Sequence, residues 1–244
     1  MRKDELRLID IHAHILPGID DGAKDMETTR RMLSMAWNEG IRTIIATPHY
    51  YPGRTKTTAE EIRMLTKEVQ REAAAIHPDF RIFCGNEIYY TDSAVEEVKE
   101  GNILTLAESS YVLTEFYTGV SFKECERAVR KFTAARYQPV IAHAERYACL
   151  RRKGALEELI HGGALVQVNF ESLLGSVFDP TYRWVKGHLR EGNLSFFGTD
   201  MHNIGNRSPK IGKAVKALRH LAKPEELEEL LWENPGRVLE DEEL

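Results

Sequence analysis

Along the chain, short runs of apolar residues alternate with longer segments in which charged and apolar positions mix at helical spacing. The short runs are Leu8–Ile11, Ile41–Thr47, Phe80–Asn86, Tyr111–Phe116, Gln138–Ala142, Ala164–Asn169 and Leu194–Thr199. Several are continuously apolar rather than alternating, as parallel strands covered on both faces are. Between them, Met26–Glu39, Ala59–Ile76, Phe122–Tyr137, Gly154–His161, Pro209–Ala222 and Glu225–Trp232 read as helices. Gly40 gives the first of these a stop, and Thr58 with Glu61 forms a capping-box signature before the second. Seven strands alternating with helices predict a parallel α/β fold. An eight-unit barrel needs about 250 residues, so seven units here point to a smaller, distorted (β/α)7 TIM-like barrel. A doubly wound open sheet is the alternative; no GxGxxG follows the first strand, which weakens a dinucleotide-binding reading.

The 244 residues are read as one domain, 1–244, with 42% hydrophobic and 29% charged residues and a net charge of −5. That balance argues against a nucleic-acid partner. The start, MRKDELRLID, has no apolar core of the kind a signal peptide needs, and no stretch of about 18 apolar residues occurs. The three cysteines, Cys84, Cys125 and Cys149, lack CxxC spacing. An odd number of unpaired thiols suits a cytoplasmic location without membrane insertion.

Chemistry-bearing residues gather at the carboxyl ends of the predicted strands. The first ends in Asp10-Ile11-His12-Ala13-His14, the second in Thr47-Pro48-His49, the third in Asn86-Glu87. The fourth ends in Thr114-Glu115, the fifth in Ala142-His143 and the seventh in Thr199-Asp200-Met201-His202. Only the sixth lacks a candidate ligand. In barrel enzymes this face carries the active site, so residues scattered along the chain are expected to converge. Five of nine histidines fall at these ends, while His77, His161, His188 and His220 lie elsewhere. Imidazoles and carboxylates with no nearby thiolate favour manganese, zinc or iron. Five histidines and at least three carboxylates exceed one ion's needs, so two or three metals are expected, a set suited to in-line displacement at phosphorus.

Beside the ligands, Arg146 lies in His143-Ala144-Glu145-Arg146-Tyr147 and Arg207 follows Asp200 by seven residues. Guanidinium forks bind phosphate oxygens in bidentate fashion. The loop Pro17-Gly18-Ile19-Asp20-Asp21-Gly22 offers a further carboxylate, and Tyr50, Tyr51, Tyr89, Tyr90, Phe116 and Tyr117 offer a stacking wall for an aromatic substrate. A cysteine phosphatase needs Arg six residues after its Cys. Here those positions hold Tyr90, Lys131 and Ala155.

The HAH, TPHY, GNEIYY, TEF, HAERY and TDMH segments resemble the polymerase and histidinol phosphatase (PHP) superfamily. With DIHAHILPGIDDGAKD they look like its bacterial manganese-dependent tyrosine-protein phosphatases of capsule and exopolysaccharide operons, the CpsB/YwqE-like branch. The resemblance runs from about residue 8 to 240. It implies a distorted seven-stranded barrel holding three ions. By motif, His12, His14, Glu87 and Asp200 would hold one, and Glu87, Glu115 and His143 a second. His49, His202 and a loop aspartate would hold the third, Asp20 by spacing with Asp21 left open. Arg146 and Arg207 would bind phosphate, and Tyr51, Tyr90 and Tyr117 the substrate ring. The implied substrate is a phosphotyrosine protein, a bacterial tyrosine kinase of polysaccharide synthesis. A phosphatase of histidinol phosphate, an amidohydrolase and a non-catalytic metal-binding module are the competing readings.

Overall fold

The computed structural model describes residues 7–244. The expectation about the N-terminal stretch therefore falls partly on residues, 1–6, outside those described. All seven apolar runs are strands. They are labelled β1 (Leu8–Ala13), β2 (Ile41–Ala46), β3 (His49–Tyr50), β4 (Arg81–Cys84), β5 (Glu87–Tyr89), β6 (Tyr111–Glu115), β7 (Gln138–Ile141), β8 (Leu165–Asn169) and β9 (Phe196–Gly198). Beyond two of the predicted runs the chain adds a further short strand after a two-residue break, β3 after β2 and β5 after β4. Pro48 has no N–H to offer a ladder, and it separates β2 from β3. Asn86 bridges the second break: its side chain donates to the Pro48 carbonyl at 2.9 Å and accepts from Leu104 N at 2.9 Å.

Every pairing is parallel, in the order β1-β2-β4 and β3-β5-β6-β7-β8-β9. The ring closes between its last and first strands. Asp200 N donates to His12 O and His14 N to Met201 O, each at 2.9 Å, and Ala13 bridges Met201. Closure rules out the open-sheet alternative. Ile9, Ile11, Ile45, Leu113, Val140 and Phe196 form one cluster, although their strands are mostly not neighbours. Such contacts can only be made across the inside of the ring.

The helices cover the outside. They are α1 (Met26–Asn38), α2 (Ala59–Ile76), α3 (Ala94–Lys99), α4 (Phe122–Ala134), α5 (Ala155–His161), α6 (Pro180–Arg190), α7 (Gly212–Leu221), α8 (Pro224–Glu228) and α9 (Asn234–Glu240). The Thr58–Glu61 capping box forms as expected. Helix α4 stops three residues before the predicted Tyr137, because Arg136 takes a left-handed φ of 66°. Helices α3, α6 and α9 were not expected from the pattern. For α6 the available signal was Asp179-Pro180, since the Asp179 side chain caps Thr181 N and Pro180 fills the first turn. No helix among the described residues is long and apolar enough to cross a membrane.

Candidate metal centre

Strand alternation delivers the site residues to one end of the ring. On β1, Ile9 and Ile11 point inward, so strict alternation would next send Ala13 in. A register shift between Asp10 and Ala13 intervenes, and the inward side chains become His12 and His14. Asp10 anchors the irregularity. Its carboxylate accepts from His12 N, Thr199 N and Thr199 Oγ1 at 3.2, 3.1 and 2.5 Å. Burial pushes the Asp10 carboxyl up to about 6 despite those donors. His143 and Asp200, each two residues past the end of its strand, both adopt left-handed backbone, with φ of 34° and 50°. Such conformations in non-glycine residues concentrate where function over-determines the chain.

Glu87 sits at the middle of the cluster and is fully buried. Its Oε1 lies 2.8 Å from His143 Nε2. Its Oε2 lies 3.2 Å from both His12 Nε2 and His14 Nε2, and 3.0 Å from His49 Nδ1. Glu115 Oε1 is 3.0 Å from the same His49 nitrogen. Asp200 Oδ1 lies 3.5 Å from His12 Nε2 and 3.6 Å from His14 Nε2. Four overlapping sets have donor atoms mutually within 4.8 Å: His14/Asp21/His49/His202, His12/His14/Asp200, His12/Glu87/His143 and His49/Glu87/Glu115. All nine expected ligand positions lie in or against this cluster.

The loop aspartates divide differently from the spacing-based expectation. Asp20 spends its oxygens on protein donors: Oδ2 is 2.8 Å from His14 Nδ1 and accepts from His49 N, and Oδ1 accepts from Gly22 N. Asp21 Oδ1 instead lies 3.4 Å from both His49 Nε2 and His202 Nε2. Gly22 permits the tight return, since a Cβ there would overlap the His14 carbonyl oxygen.

The rings are presented for ligation. His12, His14, His202 and His143 each engage Nδ1 elsewhere, with Gln167 Oε1, Asp20 Oδ2, the Asp200 carbonyl and Tyr147 OH at 3.0, 2.8, 2.9 and 3.2 Å. Each therefore turns Nε2 toward the carboxylates, as metal-binding imidazoles do. Several buried polar atoms here have no hydrogen-bond partner: His49 Nδ1, Glu87 Oε2, Glu115 Oε1 and His202 Nε2. Buried groups are normally satisfied, so four convergent orphans in one cluster fit cations rather than a protein network. Burial opposes charge on the imidazoles, yet the adjoining carboxylates win, raising His12 to about 9 and His49 to about 11. His202 goes the other way, down to about 4, because it is buried and faces His14.

Both expected arginines converge on Asp200, with Arg146 Nη2 2.9 Å from Oδ2 and Arg207 Nη2 2.6 Å from Oδ1. They flank the cluster on one side. On the other, Tyr51 stacks obliquely on His49 with centroids 5.1 Å apart, and Tyr89 lies 5.3 Å from Tyr51. Tyr117 is exposed. Tyr90 requires a correction. Alternation from inward Glu87 places Tyr89 at the rim and turns Tyr90 toward the helices, where it packs on Phe116 and Phe132. The thiols lie apart from the cluster, and burial pushes all three up, which disfavours thiolates.

The sequence reading missed the supports behind the ligands. Gln167 and Asn169 are buried beside His12 and Asp200, and Tyr147 lies behind His143. Glu145 Oε1 accepts from Asn169 N and Ser172 Oγ, tying the loops after β7 and β8 together. The signal for Gln167 and Asn169 was polar residues at alternate positions late in β8.

Comparison with known proteins gives a concordant picture. The family model for capsular polysaccharide synthesis proteins, CpsB/CapC, matches residues 8–240. The tyrosine-protein phosphatase CpsB of Streptococcus pneumoniae is 32% identical, covering 96% of this chain and 99% of its own. The tyrosine-protein phosphatase YwqE of Bacillus subtilis is 33% identical over 86% of this chain and 84% of its own. A crystal structure from work on YwqE and CpsB, described as unique metal-dependent tyrosine phosphatases, superposes with a TM-score of 0.88 at 28% identity, covering 97% of this chain and 96% of that one. An amidohydrolase shares the fold at a TM-score of 0.54 and 14% identity, over 96% of this chain and 99% of its own.

Proposed function

The chain belongs to the CpsB/CapC family of capsular polysaccharide synthesis proteins, and from that premise we propose that it is a metal-dependent protein-tyrosine phosphatase. The observation that carries the proposal is the set of four unpartnered buried atoms on His49, Glu87, Glu115 and His202, lying beside two arginines. The metal dependence described for YwqE and CpsB agrees with that donor set. In this reading residues 1–244 act as one phosphatase domain, which the family match over residues 8–240 supports.

The proposed ligands are His12, His14, Asp21, His49, Glu87, Glu115, His143, Asp200 and His202, holding two or three ions. Oxygen and nitrogen donors suit manganese, with iron or zinc as substitutes. When bound, the ions supply Lewis acidity and an activated water near neutral pH. The protein's own groups do the rest. Arg146 and Arg207, both held by Asp200, offer the remaining N–H groups of their forks to the equatorial phosphoryl oxygens and neutralise their charge. Asp20 orients His14 through Nδ1. The leaving phenol has a pKa near 10, so little is asked of a general acid. Tyr51, Tyr89 and Tyr117 are the aromatic groups available to the substrate ring. A groove of ≈400 Å³ lined by Asp21, His49, Tyr51, Arg54 and Lys56 opens beside the centre and leaves room for a protein segment. The substrate is proposed to be a phosphotyrosine-bearing bacterial tyrosine kinase of capsule or exopolysaccharide synthesis, met in the cytoplasm.

The test is turnover by the manganese-loaded chain of a phosphotyrosyl peptide, a phosphoseryl peptide and histidinol phosphate. The phosphotyrosyl peptide is expected to be preferred, with activity lost on chelation. Preference for histidinol phosphate by orders of magnitude would overturn the substrate assignment. Activity that survives complete metal removal would overturn the metal assignment.

A further inference from the structure

Strand β8 supplies no candidate ligand, yet it carries two buried amides, Gln167 and Asn169, joined in one polar chain. We propose that Gln167 and Asn169 are positioning residues for the metal centre, forming a directional amide chain that selects the nitrogen His12 presents and pins the Asp200 carboxylate. The inference rests on the metal-dependent reading above.

Direction follows from one unambiguous donor. The backbone N–H of His143 can only donate, and it meets the Gln167 side chain at 2.8 Å. The atom there must be the oxygen, which settles the amide's orientation. The same oxygen lies 3.0 Å from His12 Nδ1, so that nitrogen carries a proton and Nε2 is left facing Glu87 and Asp200. The Gln167 nitrogen then necessarily faces Asn169 Oδ1, at 2.9 Å, and donates to it. Asn169 Nδ2 in turn donates to Asp200 Oδ2, at 2.9 Å. Flipping either amide would set donor against donor or oxygen against oxygen. Gln167 is fully buried and Asn169 nearly so, so water cannot repair a flip.

Two neighbouring features hold the chain in place. Gly198 of β9 leaves the space it occupies: a Cβ there would come within 2.8 Å of Gln167 Nε2 and 2.9 Å of His12 Cβ. Glu145 Oε1 accepts from Asn169 N at 3.0 Å, fixing the backbone that carries the second amide. The chain thus links β7, β1 and β9 through β8, and it acts on two ligands without itself touching an ion. Supports of this kind are worth 10- to 100-fold in metal affinity.

The test compares Mn²⁺ affinity and stoichiometry, by titration calorimetry and electron paramagnetic resonance, in wild type, Gln167→Leu, Gln167→Glu and Asn169→Leu. Gln167→Glu keeps an acceptor for His143 and His12 but loses the donor to Asn169. We expect Gln167→Leu and Asn169→Leu to weaken Mn²⁺ binding 10- to 100-fold. Gln167→Glu should fall between them and wild type. KM for a phosphotyrosyl peptide should stay unchanged at saturating metal. Because the two amides act as one unit, the double leucine variant should bind little worse than Gln167→Leu alone. If the leucine variants fail to fold, Gln167→Glu alone decides. A wild type that binds Mn²⁺ with a Gln167→Glu affinity within twofold of it would overturn this inference and leave the metal reading intact. A wild type that binds no Mn²⁺ would overturn both.

Discussion

Glu87 Oε1 lies 2.8 Å from His143 Nε2, while its second oxygen is buried among three further imidazoles with no hydrogen bond of its own. One carboxylate thus faces His12, His14, His49 and His143 at once, and His12, with His14 and His143, holds it well below the usual carboxylate range against the effect of burial. Glu87→Gln keeps the shape but removes one of the four carboxylates proposed as ligands. It is expected to lower kcat/KM on a phosphotyrosyl peptide by on the order of 10³, the scale of removing a key electrostatic group. Bound manganese, measured by elemental analysis, should fall by at least one ion. Full metal content with unchanged turnover would remove Glu87 from the centre.

The metal-free site also sets a direction for pH. His12 and His49 sit at about 9 and about 11, above the ordinary 6.5, so near pH 7 the empty site holds their protons. Ligation requires those protons to leave. Manganese binding is therefore expected to release protons, and its apparent affinity to rise between pH 6 and 9. The sign for stability is opposite. A raised histidine stabilises the metal-free fold fully below pH 6.5, and that contribution is lost as pH rises through the folded value. Calorimetric titration in buffers of different ionisation enthalpy measures the proton count. Binding that takes up protons, or ignores pH, contradicts the reading.

The two halves of this picture were unequally legible. The seven strands and the candidate ligands that gather at their ends could be read from the chain, because apolar runs mark parallel strands and His, Asp and Glu at strand ends are conspicuous by type. What eluded the pattern depends on single-residue phase. The shift between Asp10 and Ala13 turns His12 inward, and one step along β5 separates rim-facing Tyr89 from core-facing Tyr90. Gln167 and Asn169 were silent for another reason. Neutral amides carry no charge signal, and the partner that gives Gln167 meaning, His12, is 155 positions away. Helix α6 buries only Val185 and Leu189, too thin a stripe for periodicity to register.

The arginines pose a separable question, because both are tied to a proposed ligand. Arg146 also has Glu171 within 3.6 Å, whereas Arg207 relies on Asp200. Arg146→Ala and Arg207→Ala are each expected to lower kcat by about 10²–10³ with metal content retained, since each removes charge from the transferring phosphoryl group. Lysine should rescue either variant poorly, because a point charge cannot serve Asp200 and a phosphate oxygen through one planar fork. Single-turnover kinetics beside elemental analysis separates the effects. Loss of metal in step with activity would make the arginines props for Asp200 rather than phosphate ligands.

The loop aspartates allow a sharper discrimination, since they are adjacent in sequence and face different atoms. Asp20 is nearly buried, engaged by His14, Gly22 and His49, and held down to about 2 by those donors and the His14 charge against the effect of burial. Asp21 is exposed and meets His49 and His202 through one oxygen. Asp21→Ala is therefore expected to remove one ion from the stoichiometry while leaving the melting temperature of the metal-free chain nearly unchanged. Asp20→Ala removes a buried carboxylate and leaves His14 Nδ1 and two backbone N–H groups unpaired, so it should destabilise the metal-free chain by about 1–3 kcal/mol. It should weaken metal binding through a misoriented His14 rather than abolish one site. Thermal melts in chelator beside manganese titrations read both quantities. The reverse assignment, stoichiometry falling in Asp20→Ala and preserved in Asp21→Ala, would make Asp20 the ligand and Asp21 a bystander at the rim.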